Sequence, residues 1–202
     1  MAVNKNIMVG ILLAEKALLK SPYVKRYTQN GVWVKFLPLI FILISFTQLV
    51  KAQNISSFEI PRSSVIEIKD PISDRVYPIF IKLPASYKRN NGKSYPVIYL
   101  TDAWYSFQIV SGATRFPMNS GKMQEAIIVG ISYSKGSKGP SSRVRDYTHK
   151  KDTSWKLQTG KALEHATFIE GSIFPFIKSH YRVNNSRTYV GNSLGGLFGA
   201  YI

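Results

Sequence analysis

The sequence predicts an α/β fold with a mostly parallel sheet, and two observations support this prediction. Two almost continuous apolar runs, 95–101 and 126–132, are typical of strands that are buried on both faces of a parallel sheet. Helix-like segments separate these runs from each other and from a third strand-like run at 187–190. Strands that alternate with helices favour parallel pairing, because each crossover helix returns the chain to the same end of the sheet.

The first two strands are expected to pair in an antiparallel manner. Residues 64–69 alternate polar and apolar side chains, and 76–83 form a second strand-like run that ends before Pro84. Between them, residues 70–74 contain the Asp and Pro side chains that favour a turn. A link this short indicates a hairpin.

The middle of the chain is predicted to contain a short helix at 104–110, a long polar loop at 133–153 and a helical segment at 157–181. The loop is rich in Gly, Ser, Lys and Pro, and loops of this length are usually functional or mobile. The helical segment has apolar residues at helical spacing, but Pro175 predicts a kink or break within it.

The clearest chemical signal is the run Gly-Asn-Ser-Leu-Gly-Gly at 191–196, which follows a strand and begins a helix. A serine on a sharp turn in this context is typical of a nucleophile elbow. The residues two before and two after the serine pack closely, so a Cβ atom at Gly191 or Gly195 would clash. We therefore predict that Ser193 is a nucleophile, with a Gly-rich structural turn as the alternative.

A serine hydrolase also needs backbone N–H groups that stabilise the oxyanion of its tetrahedral intermediate. The residue after the nucleophile, Leu194, is predicted to supply one of them from the start of its helix. The second donor is expected in the loop after the strand at 95–101, at Ala103 or Trp104.

The general base and its acid partner are not evident. In the α/β-hydrolase order they follow the serine, yet residues 194–202 contain no Asp, Glu or His, and all three histidines precede Ser193. We therefore expect the chain to be truncated after the elbow helix. Such a fragment would be inactive alone and would fold poorly, because a central strand would become an unpaired edge.

Composition excludes several classes of site. With no cysteine, the chain cannot form disulfides, zinc–thiolate sites, Fe–S clusters or a Cys nucleophile. The net charge of +16 would suit nucleic acid, but the positive residues are scattered and no recognition motif accompanies them. We predict no nucleic-acid partner, no metal and no cofactor. Ester hydrolysis by a serine requires neither a metal nor a cofactor.

The N-terminal region has the pattern of a secretory signal. Basic residues precede an uncharged apolar stretch within 35–52, and Val50 and Ala52 suit a cleavage site before Gln53. Export to the periplasm or medium is expected, with membrane contact only through this segment, and an uncleaved anchor is the alternative. Residues 1–34 are an extension of uncertain origin, and translation that begins at Val34 would explain it. The catalytic domain is expected from 53 onward.

Several segments together resemble the esterase branch of the α/β-hydrolases, which includes esterase D-like enzymes and hydrolases of ferric trilactone siderophores. The resemblance covers about residues 60–202, and its most specific pieces are Arg-Asp-Tyr-Thr at 145–148 and the elbow. The other pieces are at 96–102, 129–133, 174–177 and 180–183. It implies an α/β-hydrolase fold, an acyl-enzyme on Ser193, and an acid and a histidine beyond residue 202.

Three departures from the family pattern leave substrate preference open. Ala103 stands where the family often has Gly, Asn192 replaces a common His, and His149 replaces a common Pro. The predicted function is an exported serine esterase that acts on a small-molecule ester, with siderophore-like esters among the candidates. Basic residues of the polar loop would then line an anion-tolerant cleft, although a solvated loop is the alternative; the residues predicted for this cleft are Arg143, Arg145 and His149.

Two other functions stay open on the sequence alone. An acyltransferase of the same fold would use the same elbow with an alcohol as the acceptor. A non-catalytic, hydrolase-like protein is the second alternative, because two members of the triad are absent from these residues. The sequence does not predict an oligomeric state.

Overall fold

The computed structural model describes residues 57–202. The predicted extension at 1–34 and the signal at 35–52 lie outside these residues. Within the described part, no helix is both long and apolar enough to cross a membrane.

Five strands form one mixed sheet in the order β1-β2-β4-β3-β5. The first two strands pair in an antiparallel manner, β2 pairs antiparallel with β4, and β3 is parallel to both β4 and β5. This arrangement confirms the predicted antiparallel start and the parallel pairing of the later strands. The strands are β1 (Ser63–Lys69), β2 (Val76–Lys82), β3 (Tyr95–Leu100), β4 (Ile127–Ile131) and β5 (Val183–Val190).

Helices separate the strands from β3 onward. A π-helical turn at Ile169–Ile173 joins α3 to α4, and Pro175, which has no N–H to donate to the preceding turn, lies in the first turn of α4. The helical segment therefore widens before Pro175 instead of breaking there. The helices are α1 (Ala103–Asn119), α2 (Gly139–Tyr147), α3 (Ala162–Phe168), α4 (Phe174–His180) and α5 (Leu194–Tyr201).

Two predicted elements differ in kind or length from the structure, while the helical segment begins later than predicted, at Ala162, and β5 begins earlier, at Val183. The stretch at 133–153, predicted to be a loop, contains helix α2. Pro140 lies in the first turn of this helix, where proline is favoured because its missing N–H would have no partner. The buried face of α2 consists largely of polar side chains. The segment therefore lacks the apolar periodicity by which most helices are predicted. Helix α1 is also much longer than the predicted 104–110 and continues through Gly112.

The core lies on both faces of the sheet. Alternate residues of β3 and β4 point to opposite sides, so Ile98 and Ile128 pack with α1 residues while Tyr99 and Val129 pack in the larger cluster on the other face. Every residue of β4 is buried. Burial on both faces explains why these strands have almost continuous apolar sequences.

His165 of α3 lies inside the larger cluster, where it is 4% exposed. Its ring centroid lies 5.2 Å from that of Tyr77 and 5.6 Å from that of Phe198. Neither ring nitrogen has a hydrogen-bond partner among the described residues. The aromatic cage lowers the pKa of His165 from 6.5 to about 4, because burial disfavours the charged imidazolium.

Candidate active site

The loops after β3 and β5 meet at one edge of the sheet, because these strands are parallel neighbours. Thr101 and Asp102 follow β3, and Gly191 to Ser193 follow β5. Together with the start of α1 and of α2 they enclose a cleft of about 640 Å³. Its walls include Tyr105, Ser106, Ile109, Val110, Tyr133, Pro140, Arg143, Val190 and Ser193.

Ser193 occupies a strained position between β5 and α5. Its φ of 53° and ψ of −118° lie outside the regions that a residue with a Cβ atom ordinarily adopts. The side chain is exposed and lines the cleft. Strain of this kind persists only where the surrounding structure enforces it, and it is common at functional sites.

Close backbone packing enforces the sharp turn. A Cβ atom on Gly191 would lie 2.4 Å from the carbonyl oxygen of Gly195, and one on Gly195 would lie 2.5 Å from Oγ1 of Thr101. The Tyr189 hydroxyl donates a hydrogen bond to the Gly195 carbonyl at 2.6 Å, and its oxygen lies 3.2 Å from the Thr101 hydroxyl. These contacts explain why glycine occupies both positions.

We expect Gly191→Ala to disrupt the elbow. Its Cβ atom must displace backbone on the opposite side of the turn, which should cost about 1–3 kcal/mol of stability. A displacement of Ser193 by about 1 Å should lower kcat/KM for the ester hydrolysis predicted from the sequence by about 10²-fold or more. Thermal unfolding and ester hydrolysis by the complete protein measure the two effects.

Gly112→Ala is the matched control for that substitution. Nothing lies within 4 Å of a Cβ atom at Gly112, in the interior of α1. This variant should keep full activity and gain about 0.5–1 kcal/mol through helix propensity. Unchanged stability and activity in Gly191→Ala would contradict the close packing of the elbow.

Arg143 connects the two loops that form the cleft. Its guanidinium donates to both carboxylate oxygens of Asp102, at 3.1 and 3.2 Å, and to the backbone carbonyl of Asn192 at 3.2 Å. Asp102 has a left-handed φ of 54° at the start of α1, and its N–H donates to the Tyr147 hydroxyl at 3.2 Å. Arg143 therefore fixes Asn192, the residue before Ser193, relative to the β3 loop.

Tyr133 completes this cluster from the loop after β4. Burial and then the neighbouring Asp102 carboxylate raise the pKa of the Tyr133 phenol well above its ordinary value. Burial likewise raises the pKa of Tyr147. Both phenols are therefore protonated at neutral pH, and Tyr133 is a neutral part of the cleft wall.

Arg145 is buried and does not line the cleft. Its guanidinium donates to both carboxylate oxygens of Asp146, at 2.7 and 2.8 Å, and to Oγ of Ser134 at 3.0 Å. The Tyr77 hydroxyl donates to the same carboxylate at 3.1 Å. The Arg-Asp-Tyr-Thr segment thus ties α2 to β2 and to the loop after β4, which holds one wall of the cleft in place.

The other predicted residues lie around the cleft rather than in its walls. His149 is exposed and stacks on Tyr201 of α5, with ring centroids 5.0 Å apart. Ala103 and Trp104 begin α1, and Leu194 begins α5, so their N–H groups lie in first helical turns where no carbonyl of the same helix is available. Each helix start directly follows a lining residue, Asp102 or Ser193.

Sequence reasoning did not single out Asp102, Tyr133 and Tyr147 as parts of the site. The position of Asp102 could have indicated its role, because it directly follows a buried parallel strand, and ligand sites of α/β proteins form at the ends of such strands. No group of His, Asp or Glu side chains within residues 57–202 is arranged to hold a metal ion.

Residues 72–201 match the profile of a protein family described as "Putative esterase". No curated protein matches the chain. This match covers the second strand through the elbow helix, and so includes every wall of the cleft.

Two solved structures share both fold and sequence similarity with the chain. The BES protein from Bacillus cereus is 27% identical with a TM-score of 0.61, covering 76% of this chain and 58% of that one. An IroE-like serine hydrolase from Shewanella oneidensis is 27% identical with a TM-score of 0.59, covering 67% of this chain and 44% of that one. The siderophore hydrolase EstB from Aspergillus nidulans, 20% identical with a TM-score of 0.61, shares the fold over 72% of this chain and 52% of its own. The chain thus spans about half the length of these proteins.

Proposed function

Because this chain belongs to the Esterase family, we propose that it carries the nucleophile of a serine hydrolase that cleaves carboxylic esters through an acyl-enzyme. The observation that carries this proposal is the strained position of Ser193, exposed in the cleft at the end of a parallel strand. A serine held clear of its own backbone is accessible to an ester carbonyl.

In the proposed reaction, Ser193 Oγ attacks the carbonyl carbon of the ester while a histidine base takes its proton. The carbonyl oxygen becomes an oxyanion. The backbone N–H of Leu194 and the backbone N–H of Ala103 or Trp104 would stabilise this oxyanion. The intermediate collapses, the alcohol leaves with the proton from the histidine, and water then hydrolyses the acyl-enzyme. No histidine is among the described residues that line the cleft, so the base of this reaction is not one of them.

The charges around the cleft favour a neutral ester as the substrate. Arg143 is paired with Asp102, and Arg145 is buried against Asp146, so neither presents a free positive charge to a ligand. The remaining walls include Ile109, Val110 and other apolar side chains. A neutral acyl or alcohol group therefore suits this cleft better than the anionic complex of a siderophore with iron.

A fluorophosphonate probe tests the proposed nucleophile directly, because it phosphonylates only activated serines. We expect the complete protein to bind one equivalent, and peptide mass spectrometry should place the adduct on Ser193. Labelling should be lost when the protein is unfolded before the probe is added. An adduct on another serine, or none in a protein that hydrolyses esters, would overturn the assignment.

A further inference from the structure

A second cavity, of about 390 Å³, lies on the side of α1 away from the cleft. Residues 105, 106, 109 and 110 of α1 face the cleft, whereas 108, 111, 112 and 115 face this cavity. The two cavities share no lining residue. The second one is lined by Phe58, Ile60, Pro61, Arg62, Lys82, Gln108, Ser111, Gly112 and Arg115.

Three cationic side chains meet in this cavity. Lys82 is 5% exposed at the end of β2, and its ammonium donates one hydrogen bond, to the Ser111 carbonyl at 3.0 Å. Arg62 and Arg115 are exposed at the rim. Arg62 donates from its Nε to the Leu83 carbonyl, and its two terminal nitrogens have no hydrogen-bond partner within residues 57–202.

No carboxylate among the described residues balances these charges. No acidic residue lines the cavity, and none of the three cations forms a salt bridge within residues 57–202. Burial lowers the pKa of Lys82, and the nearby Arg62 and Arg115 lower it further. A buried ammonium beside two like charges is costly unless an anion compensates it.

Ser111 supplies a second, independent observation. Its side chain is 2% exposed, and its Oγ has no hydrogen-bond partner among the described residues. Buried hydroxyl groups are almost always hydrogen-bonded, so one without a partner beside a cavity needs an explanation. A ligand oxygen in the cavity would provide that partner.

We propose that this cavity binds a phosphate group through Lys82, Arg62, Arg115 and the Ser111 hydroxyl. Three positive charges and no negative one match a dianion better than a carboxylate. The planar forks of the two arginines suit the oxygens of a phosphate, and the ammonium of Lys82 supplies a point charge beneath it. Phe58, Ile60 and Pro61 give the same cavity an apolar side, which would contact the organic part of a phosphate monoester.

Isothermal titration of the complete protein with inorganic phosphate tests this proposal, at constant ionic strength with chloride as the reference anion. We expect one saturable site per chain and a rise in Tm that follows its occupancy. Lys82→Met, which keeps most of the side-chain volume, should weaken phosphate binding at least about tenfold. Arg115→Gln should weaken phosphate binding too, and because Arg115 is exposed, this substitution should leave the fold intact.

Lys88→Met is the matched control, because it removes one positive charge from an exposed position outside the cavity. Affinity for phosphate should not change in this variant. Titration with phenyl phosphate identifies the source of the ligand: tighter binding than inorganic phosphate indicates a monoester, and equal binding indicates free phosphate. Absence of a saturable site, or equal weakening by Lys82→Met and Lys88→Met, would overturn the proposal.

Discussion

Replacing Ser193 with alanine should reduce ester hydrolysis by the complete protein by at least about 10⁴-fold in kcat. The substitution removes the only atom that would form the acyl-enzyme, so the reaction loses its covalent route. What remains is the contribution of the oxyanion hole and of substrate binding. KM should change little, because the Ser193 hydroxyl is a minor part of the cleft wall.

The same substitution should leave the stability of the fold almost unchanged. Ser193 is exposed, and alanine at its φ of 53° carries the same backbone strain as serine. Ser186→Ala is the matched control, since Ser186 is an exposed serine of the strand that leads to the elbow. Full activity is expected in that variant. If Ser193→Ala still hydrolysed esters, and mass spectrometry still detected an acyl-enzyme, the nucleophile would be another residue.

The elbow was predictable from sequence because its constraint is local. A Cβ atom on Gly191 would meet the backbone of Gly195 and Gly196, a few residues further along the chain, so only glycine tolerates that approach. The crowding at Gly195 comes instead from Thr101, which is distant in sequence. The buried strands were predictable for a similar reason. When both faces of a strand are covered, as for β4, every side chain must be apolar, and the sequence shows an uninterrupted run.

Helix α2 and the position of Arg145 were not predictable from sequence, because the polar side chains of α2 are buried against Tyr77 of β2 and Ser134, which lie outside the helix. Polar residues such as Ser142 and Asp146 are buried only because Tyr77 and Arg145 satisfy their hydrogen bonds. A segment of this composition resembles a solvated loop until its partners are known. Charge alone likewise suggested that Arg145 faces a ligand, although its guanidinium is enclosed by a carboxylate and hydroxyl groups.

The pairing of Arg143 with Asp102 shows a related limit. Asp102 lies in the loop after β3 and Arg143 lies on helix α2, which follows β4, and the parallel pairing of β3 with β4 brings the two together. A sequence pattern identifies each residue separately but not the pair. The pair determines the charge of the cleft, and hence the class of ester that we propose as the substrate.

Replacing His165 with phenylalanine should remove a large part of the acid sensitivity of the fold. His165 is neutral in the folded state with a pKa of about 4, whereas in the unfolded chain its pKa is about 6.5. Above pH 6.5 both states are neutral, and the histidine adds no pH dependence. Between pH 6.5 and 4 only the unfolded state takes up the proton, so the free energy of unfolding falls, by about 3 kcal/mol in total.

Urea unfolding of the wild type and of His165→Phe at pH values from 4 to 8 measures this effect. The phenylalanine ring fits the aromatic cage of Tyr77, Tyr147 and Phe198 and brings no unpaired nitrogen into it. The variant should therefore gain stability over the wild type as the pH falls through this window, while carboxylates affect both proteins alike. His180→Gln, at an exposed position of α4, should follow the wild-type curve. Parallel curves for the wild type and His165→Phe would mean that His165 takes up its proton in the folded protein as easily as in the unfolded chain.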